Sequence, residues 1–112
     1  MSWLLREGEV LAAVEEPGRG WARMPSPDIH GVIVVGARNV VHTFGCPTAF
    51  DVAWCAETVG EDDEQMLEVR RTARLGARRV ALPHLVRGVT VVAPCGSFER
   101  WRLHVGDRLE IT

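Results

Sequence analysis

Glycine and proline divide this chain into short segments, and that division is the strongest constraint on its fold. The sequence holds 11 glycines and 6 prolines. Between them lie short runs that are continuously apolar, such as residues 31–36 (GVIVVG), or that alternate as strands do. The pattern predicts roughly six to eight short strands with one or two short helices. We therefore expect a mainly β (α+β) fold, a compact domain that resembles a small β-barrel.

Length and charge restrict the class of protein. The 112 residues fit a single domain, residues 1–112, with one core. All 13 basic residues are arginines, and the formal net charge of -2 gives no strong field toward nucleic acid or a membrane. No apolar run approaches the roughly 18 residues of a membrane span. Charged residues occur from Arg6 onward, before any apolar run as long as that of a signal peptide. The 3 cysteines form no C-x-x-C pair and are expected to be reduced. These features predict a cytoplasmic protein.

The chain is expected to begin with a hairpin. Residues 2–6 and 9–15 flank Glu7-Gly8, where glycine can supply the positive φ of a tight turn. Further strands are predicted at residues 31–36, 65–71, 88–93 and 108–111. Short helical segments are predicted at residues 21–24 and, with Ser97 as the N-cap, at residues 98–104.

The segment VVHTFGCPTAFDVAW, residues 40–54, carries a carboxylate inside an apolar strand. Its two arms, residues 39–44 and 50–56, are expected to pair as a hairpin across the loop at residues 45–49. Phe50, Val52 and Trp54 then share one face, and Asp51 lies on the other. In that register Asp51 faces Thr43 and lies near the N–H groups of the loop.

Two motifs in this chain are typical of one protein family. His42-Thr43-Phe44-Gly45 is followed by Asp51-Val52-Ala53, and Gly96 is followed by Val105-Gly106-Asp107-Arg108-Leu109. The N-terminal Trp3-Leu4-Leu5-Arg6 matches the same subgroup. With these motifs, the chain resembles domain of unknown function 192, a family of small bacterial and archaeal proteins. The resemblance covers nearly the whole chain, and it implies a compact, mainly β fold with no established reaction.

The chain departs from the family pattern near Asp51. Cys46 stands where the family usually has methionine, and Pro47 and Ala49 rebuild the loop that follows. Many members carry a glutamate at the position of Val92, so one half of a possible acidic pair with Asp51 is missing. The resemblance thus implies a divergent member in which a catalytic role for Asp51 is weakened.

Asp51 is nevertheless the first candidate for a functional residue. A partly buried carboxylate beside a loop can bind a cation, a sugar hydroxyl or a basic group of a ligand. The interpretation we favour is structural, with Asp51 accepting hydrogen bonds from Thr43 and from N–H groups of the loop. The other candidate ligand-binding residues are Thr43, His42, Cys46 and Trp21.

No motif indicates a catalytic centre or a metal site. The sequence lacks G-x-S-x-G, a P-loop, a dinucleotide fingerprint and H-E-x-x-H. The spacings of His42, Cys46, Cys55 and Cys95 match no zinc signature, so neither a metal nor another cofactor is expected. A cysteine nucleophile would need a neighbour such as histidine, and the sequence leaves that geometry open.

We therefore expect a non-enzymatic binding or accessory module that acts through a small groove near Asp51 and the 45–49 loop. The alternative is a small enzyme or ligand-binding domain that uses Asp51 with His42 or a cysteine. A further alternative is RNA binding through Arg70–Arg79, although aromatic residues are absent there and an acidic block precedes the segment. The expected partner is a small molecule or a protein; neither a membrane nor nucleic acid is expected.

Overall fold

A computed structural model gives the architecture of the chain. It describes residues 2–15, 22–23, 31–36, 40–42, 49–59, 65–76, 80–81 and 88–112. The strands of the described residues are β1 Ser2–Arg6, β2 Glu9–Glu15, β3 Ala22–Arg23, β4 Val32–Gly36, β5 Val40–His42, β6 Phe50–Val59, β7 Gln65–Leu75, β8 Val80–Ala81, β9 Gly88–Pro94 and β10 Arg108–Ile111. A helix, α1, spans Ser97–Trp101.

Seven of these strands close into a barrel in the order β1-β10-β7-β6-β9-β4-β2. The strands β2 and β4 are parallel, and the other neighbours are antiparallel. At the β1–β2 turn, Glu7 and Gly8 both have positive φ, 50° and 81°, which matches the twist of a hairpin. The strands β3, β5 and β8 form a separate sheet. The predicted mainly β fold, the barrel and the first hairpin are therefore confirmed.

The barrel interior is filled by a cluster of apolar side chains. Leu4, Leu67 and Leu109 are at most 1% exposed within it, and a fully buried leucine stabilises a fold by roughly 1.5–3 kcal/mol. Phe98 of α1 and Leu103, just after the helix, belong to the same cluster. The helix therefore covers one end of the barrel and completes its core.

Strand β6 is buried on both of its faces. Ala53 and Cys55 lie in the barrel cluster. The opposite face belongs to a second cluster, formed by Ile33, Phe50, Val52, Trp54 and Val92. Val52 is 0% exposed, so other atoms of this chain cover the second face as well. The predicted alternation along this strand is confirmed.

The predicted pairing of residues 39–44 with residues 50–56 is wrong. Both edges of β6 are occupied, by β7 on one side and β9 on the other. The three-residue strand β5 pairs instead with β3 and β8. A strand that is apolar on both faces is stable in the middle of a sheet, and the long strands β7 and β9 supply more ladder hydrogen bonds than β5 can.

Three local predictions also need correction. Ala22 and Arg23 form strand β3 rather than a helical turn, and Trp21 and Met24 lie outside the described residues. The helix begins at Ser97 and ends at Trp101, and its N-cap is Gly96 rather than Ser97.

Strand β7 continues past residue 71 to Leu75. A bulge opposite Trp54 and Cys55 shifts the register of β7, so Ala73 and Leu75 pack on the second cluster.

We expect Gly88→Ala to lower the free energy of unfolding by about 1–3 kcal/mol, the usual effect of overpacking. A Cβ atom at residue 88 would collide with the carbonyl oxygen of Cys55 on the neighbouring strand β6. Urea denaturation measures the effect, with Val10→Ala as the control. Val10 is 54% exposed, so its truncation should change the free energy by less than about 0.5 kcal/mol. Equal stability of the two variants would contradict the close approach of β6 and β9.

Candidate functional site

Asp51 is the second residue of β6, at the end of the barrel that α1 covers. In the sheet it pairs with Arg74 of β7 and Ala93 of β9. Its side chain lies on the same face of the strand as Ala53, and the residue is only 4% exposed. A carboxylate in such a position requires hydrogen-bond donors around it, because desolvation without them is costly.

The N–H groups at the start of α1 supply two of those donors. The Asp51 Oδ2 atom accepts hydrogen bonds from the backbone N–H of Gly96 at 3.0 Å and of Phe98 at 3.1 Å. Gly96 adopts a left-handed conformation, with φ of 91°, and provides no side chain to cap the helix. Asp51 therefore supplies, from another strand, the hydrogen-bond acceptor that an N-cap side chain usually provides, and its negative charge also suits the positive end of the helix dipole.

Arg74 supplies the third donor to Asp51. Its Nε atom lies 3.4 Å from the Asp51 Oδ1 atom, so both oxygens of the carboxylate accept hydrogen bonds. The hydrogen bond to Asp51 raises the pKa of Arg74, and the charges of Cys95, Asp51 and Glu99 act in the same direction. The Arg74 side chain is 54% exposed. One edge of the guanidinium thus holds Asp51, while the rest faces solvent.

The opposite end of α1 is held by Arg6 of β1. Its Nη atoms donate to the backbone carbonyls of Trp101 and Arg102, the residues at the helix C-terminus. Arg6 also forms an ion pair of 3.2 Å with Asp107, whose carboxylate accepts a hydrogen bond from the N–H of His104. A positive side chain at the C-terminus complements the helix dipole. Charged side chains of two barrel strands therefore stabilise both ends of this five-residue helix.

A groove of about 250 Å³ lies between β7 and α1, beside Asp51. We call it the Asp51 groove; it is lined by Asp51, Thr72, Ala73, Arg74, Phe98 and Glu99. A larger groove of about 440 Å³ lies beside Arg6 and Asp107 at the other end of the helix. Each groove contains one ion pair, Arg6–Asp107 in the second groove and Arg74–Asp51 in the Asp51 groove. We take the Asp51 groove as the candidate site because it contains the acid that the sequence selects.

Two of the cysteines lie in the described residues, and both are free thiols. Cys55 is buried, and desolvation raises its pKa to about 12. At neutral pH this thiol is protonated and is a poor nucleophile. Cys95 is exposed and precedes α1 in the chain. Cysteine chemistry at Asp51 would thus have to use Cys95 or the undescribed Cys46.

The described arginines of the segment 70–79 all have partners within the chain. Arg70 forms an ion pair of 3.2 Å with Glu68, and Arg71 lies over the ring of Trp54 at 5.1 Å from its centroid. Arg74 bonds Asp51. Arg78 and Arg79 lie outside the described residues. Because each described arginine of this segment has a partner within the chain, this part of the surface is less positive than its number of arginines indicates.

Of the residues predicted to form the site, Asp51 is the one whose side chain is described. Its hydrogen bonds go to Gly96, Phe98 and Arg74, so its sheet partner is not Thr43 as expected. The backbone of His42 belongs to β5, but its side chain lies outside the described part of the structure, as do Thr43, Cys46 and Trp21. The same holds for residues 45–48 of the predicted loop.

Sequence reasoning missed the residues that complete this site, Arg74 and Glu99, and the helix anchor Arg6. The predicted strand ends at residue 71, which leaves Arg74 in the basic segment Arg70–Arg79 rather than on a strand. The period of two in Thr72-Ala73-Arg74-Leu75 was the signal that could have placed it on β7. No comparable signal marks Glu99. Arg6 belongs to the matched motif at residues 3–6, but the motif does not indicate its contact with the helix, because that role depends on contacts between distant parts of the chain.

Known proteins give no further guide to the site. Comparisons with models of protein families, with curated proteins and with solved structures yield no match to this chain. Within the described ranges no group of three or more histidine, cysteine or acidic side chains could hold a metal ion. The described part also contains no helix with the length and apolar character required to cross a membrane.

We expect Asp51→Asn to lower the free energy of unfolding by about 1.5–3 kcal/mol, the usual worth of hydrogen bonds to a charged group. An asparagine oxygen can still accept from the helix, but its NH₂ group then faces Arg74 or a backbone N–H, and both of these are donors. Denaturant unfolding measures the change, with the exposed Glu9→Gln as the control. Amide hydrogen exchange at Gly96 and Phe98 should accelerate in Asp51→Asn. Unchanged stability and exchange would contradict the capping role.

We expect iodoacetamide to modify Cys95 in the folded protein and to spare Cys55. Cys95 is exposed, whereas Cys55 is buried and its pKa of about 12 keeps the reactive thiolate scarce even at pH 9. Mass spectrometry of tryptic peptides measures the extent of modification. Fragment spectra are needed because Cys46 and Cys55 lie on the same tryptic peptide. Both thiols should react fully in denaturant, which serves as the control. Rapid modification of Cys55 in the native state would contradict its burial.

Proposed function

We propose that this protein is a non-enzymatic binding module whose ligand occupies the Asp51 groove. The observation that carries the proposal is that both carboxylate oxygens of Asp51 already accept hydrogen bonds from the chain itself, three in all. A general base must reach the proton that it removes. The Asp51 carboxylate is bonded to the helix and to a neighbouring guanidinium. This arrangement fits a structural role in shaping the groove better than a role as a general base.

The remaining groups of the groove support binding as well. Arg74 is half exposed, and Glu99 is exposed on α1. Part of the surface that lines the groove is apolar. Grooves that combine apolar surface with a few fixed polar groups are typical ligand sites. The enzyme alternative would need a reactive partner for Asp51, and the buried, protonated thiol of Cys55 is unsuited to that role.

We further propose that the chain is a divergent member of domain of unknown function 192. In support, several residues of the matched motifs are those that hold α1: Asp51 and Gly96 at its start, and Arg6 and Asp107 at its end. We propose the cytoplasm as its compartment, and the free thiols of Cys55 and Cys95 support this assignment.

A thermal-shift screen tests the proposed binding function. Carboxylates, amines, amino acids, sugars and nucleotides are added to the wild type and to Glu99→Trp, whose large side chain should fill the groove. Arg100→Trp places the same side chain on the same helix but not in the groove lining. We expect at least one compound to raise the melting temperature of the wild type and of Arg100→Trp in a saturable way, because binding to the folded state stabilises it. Glu99→Trp should lose that response.

The same experiment separates binding from catalysis. A stabilising compound should be recovered chemically unchanged after prolonged incubation with the protein, as judged by its NMR spectrum. If the wild type converts the compound and a folded Asp51→Asn variant does not, our proposal is wrong and the enzyme alternative is supported. Absence of any stabilising compound, or equal responses of Glu99→Trp and Arg100→Trp, would also overturn it.

A further inference from the structure

The charges that line the Asp51 groove fall into an occupied set and a free set. The Asp51 carboxylate and the Nε edge of Arg74 bond each other. Among the described residues, the two Nη atoms of Arg74 and the carboxylate of Glu99 have no hydrogen-bond or ion-pair partner. The bond to Asp51 restricts the orientation of the guanidinium. The groove thus presents to a ligand one cation and one anion that lie near each other but form no direct ion pair.

This pair of free charges selects among classes of ligand. A guanidinium binds a carboxylate or a phosphate through two parallel hydrogen bonds. Asp51, Arg74 and Glu99 carry a net negative charge together, so a phosphate dianion would meet repulsion from two carboxylates. A simple amine would match Glu99 but leave the two Nη atoms of Arg74 without a partner from the ligand. A ligand with one carboxylate and one ammonium group satisfies both free charges.

Size and apolar surface restrict the ligand further. The groove volume of about 250 Å³ is below the range of roughly 300–1,000 Å³ that is usual for drug-sized ligands. Part of the lining surface is apolar. We propose that the Asp51 groove binds a free α-amino acid with an apolar side chain, its carboxylate on Arg74 and its ammonium group on Glu99. This assignment rests on the proposed function of the groove and names the ligand class.

A titration with three matched compounds tests the assignment. Leucine carries both charges, leucinamide lacks the carboxylate, and 4-methylpentanoate lacks the ammonium group. In ¹H–¹⁵N spectra of the full chain, leucine should shift the amides of Thr72, Arg74 and Glu99 in a saturable way. Each analogue should bind at least tenfold more weakly. Equal binding of the three compounds, or no saturable shift with leucine, would overturn the assignment.

Charge variants tie each preference to its residue. Glu99→Gln should bind leucine and 4-methylpentanoate equally, and Arg74→Gln should bind leucine and leucinamide equally. Arg70→Gln, on the same strand but outside the groove lining, should behave as the wild type. Arg74→Gln removes a partner of Asp51 and can destabilise the fold, so the exposed Glu99 carries the decisive test. Unchanged preferences in Glu99→Gln would overturn the assignment.

The outcome also separates this inference from the proposed function. If leucine fails but another compound of the thermal-shift screen shifts the amides of Thr72, Arg74 and Glu99, the groove is a binding site and the amino-acid assignment is wrong. If no compound shifts these amides, both the assignment and the proposed function are wrong.

Discussion

The carboxylate of Asp51 bonds the first N–H groups of α1, and the closed end of the barrel depends on that contact. A five-residue helix has too few internal hydrogen bonds to persist alone. It is held by Asp51 at its start, by Arg6 at its end and by Phe98, which belongs to the barrel core. Without these anchors the interior of the barrel would open to solvent at this end. A capping interaction between distant residues therefore completes a core that the strands alone leave unfinished.

The same contact explains why an acidic residue interrupts an apolar strand. Along β6 the inward face carries Ala53 and Cys55 in the closed interior, where a charge would be unpaired. Asp51, two residues before Ala53, lies on the same inward face but at the end of the barrel. There the backbone N–H groups at the start of α1 need an acceptor. An acid at that position satisfies the helix, and Arg74 on the neighbouring strand balances its charge. Asp51 thus marks the boundary between the apolar core and the groove.

Local features of this fold could be predicted, whereas its long-range contacts could not. The first hairpin, the strand after Asp51 and the terminal strand follow from alternation and from turn residues near each segment. The pairing of β6 with β9 does not, because β9 lies far away in the sequence and the apolar segment at residues 39–44 is nearer. Asp51 could be selected as unusual from its apolar neighbours, but its partners on α1 lie 45 and 47 residues further along the chain. Of the candidate site, Asp51 could therefore be predicted from the sequence, but the residues that surround it could not.

The central position of β6 has a consequence for how the chain folds. Strand β6 is made before β9, so during synthesis one of its edges and both of its apolar faces lack their final cover. Open edges of this kind template the addition of other strands and are sites of aggregation. Strand β7, the next in sequence, places Glu68, Arg70 and Arg71 beside this apolar strand. Charged side chains that flank an apolar strand oppose its aggregation. These three can therefore keep incomplete chains apart until β9 completes the barrel.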